Sequence, residues 1–154
     1  MYIIFINGLP RSGKTETAHI LERKIENCEV IHLDHYGTKT PPIPYSKKQE
    51  IYNIIKDYPG NLAIIEGLTW DQEFITEITQ ISDKTNSNFF YFDLRREFSE
   101  ILKMPSAQER NDEDKLKKII TRLESLDVPN KKIISNKTPQ ENAKLITLAI
   151  PDLL

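Results

Sequence analysis

Two hydrophobic periods alternate along the chain. Short apolar runs rich in Ile, Val, Leu and Phe lie at residues 2–6, 29–33, 62–65, 88–92 and 132–134, the lengths and compositions of strands. Between them apolar residues recur at helical spacing. After the first run, Thr17, Ala18, Leu21 and Ile25 predict a helix reaching about residue 26. A second helix is expected from near Ser46, where Ser46 and Gln49 fit a capping box; Ile51, Ile54 and Ile55 share one face, and Pro59-Gly60 stops it. Thr69 and Gln72 repeat the capping pattern ahead of an inward face of Phe74, Ile75 and Ile78. A fourth helix is expected around 97–102, ending before Pro105. A fifth runs from about Asp112, with Leu116, Ile119, Ile120 and Leu123 on its buried stripe. The last starts at Thr138, with Pro139 in the first helical position and Glu141 completing the box, and ends before Pro151.

Strand and helix in alternation predict an α/β fold, a three-layer α/β/α sandwich around a five-stranded parallel sheet. In such sheets ligands collect beyond the carboxyl ends of the strands. The places to look for chemistry are therefore just after Ile6, Leu33, Ile65, Phe92 and Ile134.

Size and composition narrow the picture. A chain of 154 residues suits one domain, 1–154, that buries about 68–70% of its unfolded surface. The Pro-rich stretch 40–44 reads as a stiff loop within that domain and not as a boundary. Apolar residues make up 38% and charged residues 29%, and no apolar stretch approaches the roughly 20 residues of a membrane span. The opening MYIIFINGLP lacks a basic leader, so it is expected to be a strand and not a secretory signal. With a single cysteine, Cys28, and therefore no internal disulfide, a reducing cytoplasmic setting without membrane contact is expected. A formal net charge of −2 gives no general attraction to nucleic acid.

The most specific chemistry follows the first strand. Residues 8–15, GLPRSGKT, match the pattern G-x-x-x-x-G-K-[ST] in full. Gly8 and Gly13 let bare backbone approach a phosphate, while N–H groups along Pro10, Arg11, Ser12, Gly13, Lys14, Thr15 and Glu16 turn toward the anion; Pro10 itself contributes no N–H. Lys14 is placed to reach the β and γ phosphates and the Thr15 hydroxyl to hold Mg²⁺. The expected ligands are ATP and Mg²⁺.

With this loop in place, the chain resembles the P-loop kinase superfamily, the P-loop NTP hydrolase/kinase type of fold. The resemblance runs over the whole length: GLPRSGKT after strand one, IHLDHYG at strand two, IIEG at strand three, LRREFSEILKMPSAQER after strand four and ISNKTPQE after strand five. It implies transfer of the γ-phosphoryl group of ATP to an acceptor. Asp34 then corresponds to the carboxylate that orients an acceptor hydroxyl and accepts its proton, and DHYG is similar to the Asp-x-Phe-Tyr run of uridine and nicotinamide-riboside kinases. Glu66 stands where relatives carry an acid that supports Mg²⁺ through water. Adenylate kinases more often show Asp-Gly-Phe-Pro-Arg there; EGLTW has no Arg, which disfavours a nucleoside monophosphate acceptor.

The resemblance further implies a lid at about 103–112 whose cations close over the triphosphate. Arg110 is the favoured residue, one of Arg95 and Arg96 is expected to face the phosphates, and Arg122 falls about 100° off the adenylate-kinase register on a continuous helix. The acceptor is expected in the region 35–58, with Tyr36, Tyr45 and Tyr52, together with Trp70, as candidate stacking rings and Lys39, Lys47 and Lys48 as candidate phosphate contacts. Asn136 belongs to a segment that either wraps adenine or caps the last helix. The Asn136-Lys137 pair lacks the Asp of the guanine-reading motif, since Pro139 stands in its place. The acceptor is left open among nucleosides, small metabolites and a polynucleotide 5′-hydroxyl. A nucleoside monophosphate kinase and a regulatory ATPase acting through a protein partner remain as alternatives.

Overall fold

The computed structural model describes residues 1–36, 43–103 and 113–153. Five parallel strands form one sheet: β1 (Tyr2–Gly8), β2 (Cys28–His32), β3 (Leu62–Glu66), β4 (Asn88–Arg95) and β5 (Lys132–Ser135), in the order β2-β3-β1-β4-β5. β1 sits at the centre, paired in register Phe5 to Ile65 on one side and Phe5 to Tyr91 on the other. The helices are α1 (Lys14–Lys24), α2 (Tyr45–Asp57), α3 (Gln72–Lys84), α4 (Phe98–Leu102), α5 (Glu113–Glu124) and α6 (Pro139–Ala149), with a short 3₁₀ turn over Leu33–Tyr36.

Side chains of one strand alternate between the two faces, and each face has its own core. Ile4, Ile6, Phe92 and Leu94 face α1 and α6, packing on Ala18, Leu21, Ala143 and Ile146. Ile3, Phe5, Ile65 and Tyr91 face α2, α3 and α5, meeting Ile51, Ile55, Phe74, Ile78 and Leu123. The expected three layers are thus observed. Because β1 and β3 are neighbours whose chains leave toward opposite faces, a crevice opens between their carboxyl ends. No helix among the described residues is long and apolar enough to cross a membrane.

Helix starts differ from expectation at two places. α2 begins at Tyr45 behind Pro44, with no side-chain cap, so Ser46 and Gln49 lie inside the helix and form no capping box. The cap of α3 is Asp71, whose carboxylate accepts from Phe74 N–H at 3.1 Å. Thr69 instead accepts from Asp71 N–H, turning the chain just ahead of the helix. Both sequence patterns had the right residue types; the chain used the Pro-fixed geometry in one case and a stronger acceptor two residues on in the other. The box at Thr138 and Glu141 is present in full.

Asp71 does more than cap. Its second oxygen accepts from Ile43 N–H at 3.0 Å and pairs with Lys48 Nζ at 3.0 Å, and both side chains are buried. Lys48 is therefore a buried ion-pair partner and not an acceptor contact. Removing one member of a buried pair strands the other charge, at a cost of about 3–5 kcal/mol. Asp71→Ala is expected to lose stability of that order in urea unfolding. The double change Lys48→Met/Asp71→Asn keeps the cap acceptor without either charge and is expected to recover part of it, the Ile43 N–H losing its acceptor.

Candidate active site

Sequence-local geometry builds the loop. Gly8 has φ of 144°, and a Cβ there would lie 2.1 Å from Leu94 O, so β1 and β4 close only around a glycine. Leu9 O is the hub of the turn: it accepts from Ser12 N–H, Ser12 Oγ at 2.7 Å and Lys14 Nζ at 2.7 Å. Arg11 adopts φ of 61°, a left-handed conformation unusual for a side chain with a Cβ, and Gly13 follows at 90°. Left-handed residues on either side of Ser12, just ahead of a helix, turn loop N–H groups outward, which is the arrangement that binds anions.

Asn7, the residue before the motif, anchors this loop. It is fully buried. Its Oδ1 accepts from Gly8 N–H and Thr69 N–H, and its Nδ2 donates to Thr69 O and to the Tyr91 hydroxyl. That exhausts the hydrogen-bonding capacity of a carboxamide. Its role was not read from sequence; the available signal was an Asn ending an otherwise apolar strand.

The crevice between β1 and β3 is a cavity of about 530 Å³ lined by Pro10, Arg11, Gly13, Lys14, Thr15, Glu16, Asp34, Glu66, Gly67 and Leu68. The loop, Asp34 and Glu66 thus meet in one space, although they come from three different strand ends. Asp34 lies exposed in the 3₁₀ turn after β2. Glu66 is buried at the end of β3, each of its oxygens 3.2 Å from Thr15 Oγ1 and Oε1 also 2.6 Å from His32 Nδ1. Of the other predicted loop residues, Ser12 turns its hydroxyl inward, and Gly8 sits below the rim as the strand's last residue.

Hard oxygen donors at Thr15 and Glu66 fit Mg²⁺. Among the described residues no group of three His, Cys, Asp or Glu is placed to chelate a metal. A cation here would accordingly take most of its ligands from phosphate and water, as Mg²⁺ does.

Asn136 opens on a second cavity, of about 390 Å³, with Arg96, Glu97, Glu100, Lys137 and Thr138. Its left-handed backbone and its Oδ1, which accepts from Glu97 N–H, tie the exits of β4 and β5 together. Gly13 has its Cβ position 3.3 Å from Pro139 Cγ, so this segment runs beside the phosphate loop.

The expected cations divide. Arg96 donates to Lys137 O. Arg95 is engaged by Asp93 at 2.9 Å and by Glu124 at 3.0 Å, which directs it to α5 and away from the loop cavity. Arg122 lies 4.9 Å over the ring of Trp70, a cation–π contact and not a plain surface charge. Arg110 and Lys39 lie outside the described residues, as does the expected lid apart from Lys103. Within the expected acceptor region, Tyr52 is buried and stacked on Phe74, and Tyr45 is exposed. Cys28 is half-buried, and burial pushes its thiol up to about 12, which keeps it protonated and unreactive.

No protein-family model matches this sequence, and no curated protein does. Solved structures match over nearly the full length. The tunicamycin resistance protein of Deinococcus radiodurans superposes with a TM-score of 0.72 at 15% identity, covering 97% of this chain and 95% of that one. Thymidylate kinase of Candida albicans gives 0.62 at 18% identity, covering 97% and 90%. Shikimate kinase of Aquifex aeolicus gives 0.62 at 15%, covering 96% and 95%. At these identities the likeness is one of fold.

Lys14 carries the electrostatic signature of the site. Burial lowers it, against the opposing pull of Glu66, Asp34 and Asp93, to about 8. A polyphosphate placed against it favours the charged form, so between pH 8 and the ordinary lysine value binding must take up a proton. Affinity for pyrophosphate is expected to fall as pH rises above 8. Calorimetry at pH 8.5 in two buffers of different ionisation enthalpy should show net proton uptake in the wild type and almost none in Lys14→Arg.

Proposed function

We propose that this chain, which has the fold of the P-loop kinases, is an ATP- and Mg²⁺-dependent phosphotransferase acting on a hydroxyl acceptor. The observation that carries the reading is the convergence of Lys14, Thr15, Glu66 and Asp34 on one cavity. A phosphate cradle alone would serve any nucleotide-binding protein. A carboxylate from another strand, exposed and facing the same space, is what a transfer to a hydroxyl requires.

In this reading the loop N–H groups and Lys14 bind the β and γ phosphates, and Thr15 with Glu66 holds Mg²⁺, Glu66 through water. Bound there, the ion neutralises charge on the phosphates. Asp34 orients the acceptor hydroxyl and takes its proton as the new oxygen–phosphorus bond forms and the bond to the ADP oxygen breaks. Little covalent chemistry is asked of the protein, because phosphoryl transfer depends mainly on positioning and charge. Arg110 is the proposed lid cation. A small molecule is the favoured acceptor and a polynucleotide 5′-hydroxyl the next; the lack of an Arg in the segment after Glu66 weighs against a nucleoside monophosphate.

The deciding experiment follows ADP formation from ATP and Mg²⁺ against pools of nucleosides, nucleoside monophosphates, sugars and 5′-hydroxyl oligonucleotides. One hydroxyl pool is expected to raise the rate, and Asp34→Asn to cut that increment by about 10²-fold or more while ATP affinity holds. A rate with monophosphates alone would replace the hydroxyl acceptor, and ATP binding without any response would favour a regulatory ATPase. Arg110→Ala is expected to lower turnover more than nucleotide affinity. Equal losses in both would remove it from the transition state.

A further inference from the structure

The three histidines of the chain stand in one column beside the metal side of the cavity. The ring of His32, on β2, lies 5.1 Å from that of His19, on α1, and 4.9 Å from that of His35, in the turn that carries Asp34. His32 is the member that reaches inward. In the parallel register it is the direct partner of Glu66, so the sheet itself sets the two side chains next to each other. Its Nδ1 lies 2.6 Å from Glu66 Oε1, in the range of a charge-assisted bond.

Glu66 needs such a partner. Its side chain is 4% exposed, and an unheld carboxylate at that depth would pay a large desolvation cost or rotate toward water. The Thr15 hydroxyl meets both oxygens at 3.2 Å but carries a single proton, so it donates to one or the other in exchange. His32 is independent of that exchange. The flanking rings of His19 and His35 confine its orientation from two sides.

We propose that His32 is a positioning residue for metal binding: through Nδ1 it fixes the Glu66 carboxylate in the orientation that serves the cation at Thr15. This rests on the nucleotide and Mg²⁺ reading above and adds a residue to it. Partners that orient a metal-supporting group typically contribute about 10–100-fold to metal affinity.

The test uses binding and not turnover. ADP affinity is measured with and without Mg²⁺, and Mn²⁺ affinity of the ADP complex by electron paramagnetic resonance, for wild type, His32→Leu, His32→Gln and His32→Asn. Asn presents its amide at the Nδ1 position, whereas Gln carries it one bond further out. His32→Leu and His32→Gln are expected to lose about tenfold or more in Mn²⁺ affinity. Metal-free ADP affinity should be unchanged, and His32→Asn should stay within about threefold of wild type, a loss well below that typical range. Variants that keep wild-type Mn²⁺ affinity and show only a lower melting temperature would overturn the proposal, leaving His32 a packing residue. If the wild type itself gains no ADP affinity from Mg²⁺, the nucleotide and metal reading fails and takes this role with it; the two failures appear in different proteins.

Discussion

Asn7 holds the carboxyl edge of the sheet together. Its carboxamide sits fully buried between three chain segments and donates or accepts at every position it has: to the start of the phosphate loop, to both backbone groups of Thr69 after β3, and to Tyr91 on β4. A buried amide missing any one of these would carry the desolvation cost of that group, about 1–3 kcal/mol. The same four bonds set the width of the crevice. The loop begins at Gly8, the turn after Glu66 passes Thr69, and the distance between them is what Asn7 spans.

Around this neutral anchor the charges are arranged asymmetrically. Lys14 is pulled toward its neutral form by burial while Glu66, Asp34 and Asp93 pull the other way. Its ammonium donates to the carbonyl of Leu9 at 2.7 Å. Asp93 shows the opposite solution. Also fully buried, it has one oxygen held by Arg95 while the other has no hydrogen-bond partner among the described residues. Arg95 then passes to Glu124 and ties the end of β4 to α5. One of the two arginines of which one was expected to face the phosphates thus neutralises a buried acid instead.

The sheet was readable because its strands are continuous apolar runs, as expected of strands covered on both faces. The loop was readable because its glycines are required by geometry: Gly8 by the approach of Leu94, Gly13 by its left-handed φ of 90°. What escaped was tertiary in origin. Nothing local distinguishes Lys48 from Lys47, yet the first is buried on Asp71 and the second lies over Glu50 at the surface. Ser46 had a legitimate capping pattern and lost to Pro44, whose fixed φ starts the helix two residues earlier. The histidine column joins residues 19, 32 and 35 from three elements, and only the β2–β3 register brings its middle member to Glu66.

The same burial pattern narrows where acceptor specificity can reside. Tyr52 is stacked into the core on Phe74, and Lys48 is neutralised, so two of the residues that sequence placed near the acceptor are structural. Trp70 packs against the core on the α2, α3 and α5 side with the Arg122 guanidinium over its ring, and neither lines the cavity. His35 follows Asp34 directly and shares the His32 stack, so Asp34 and Glu66 lie at two ends of one packed unit. The loop is thereby built from backbone geometry that many sequences can supply, whereas the crevice beside it is lined from β2 and β3 by a few side chains at strand ends. That division fits neighbours named for different acceptors that share this architecture, each at 15–18% identity to this chain.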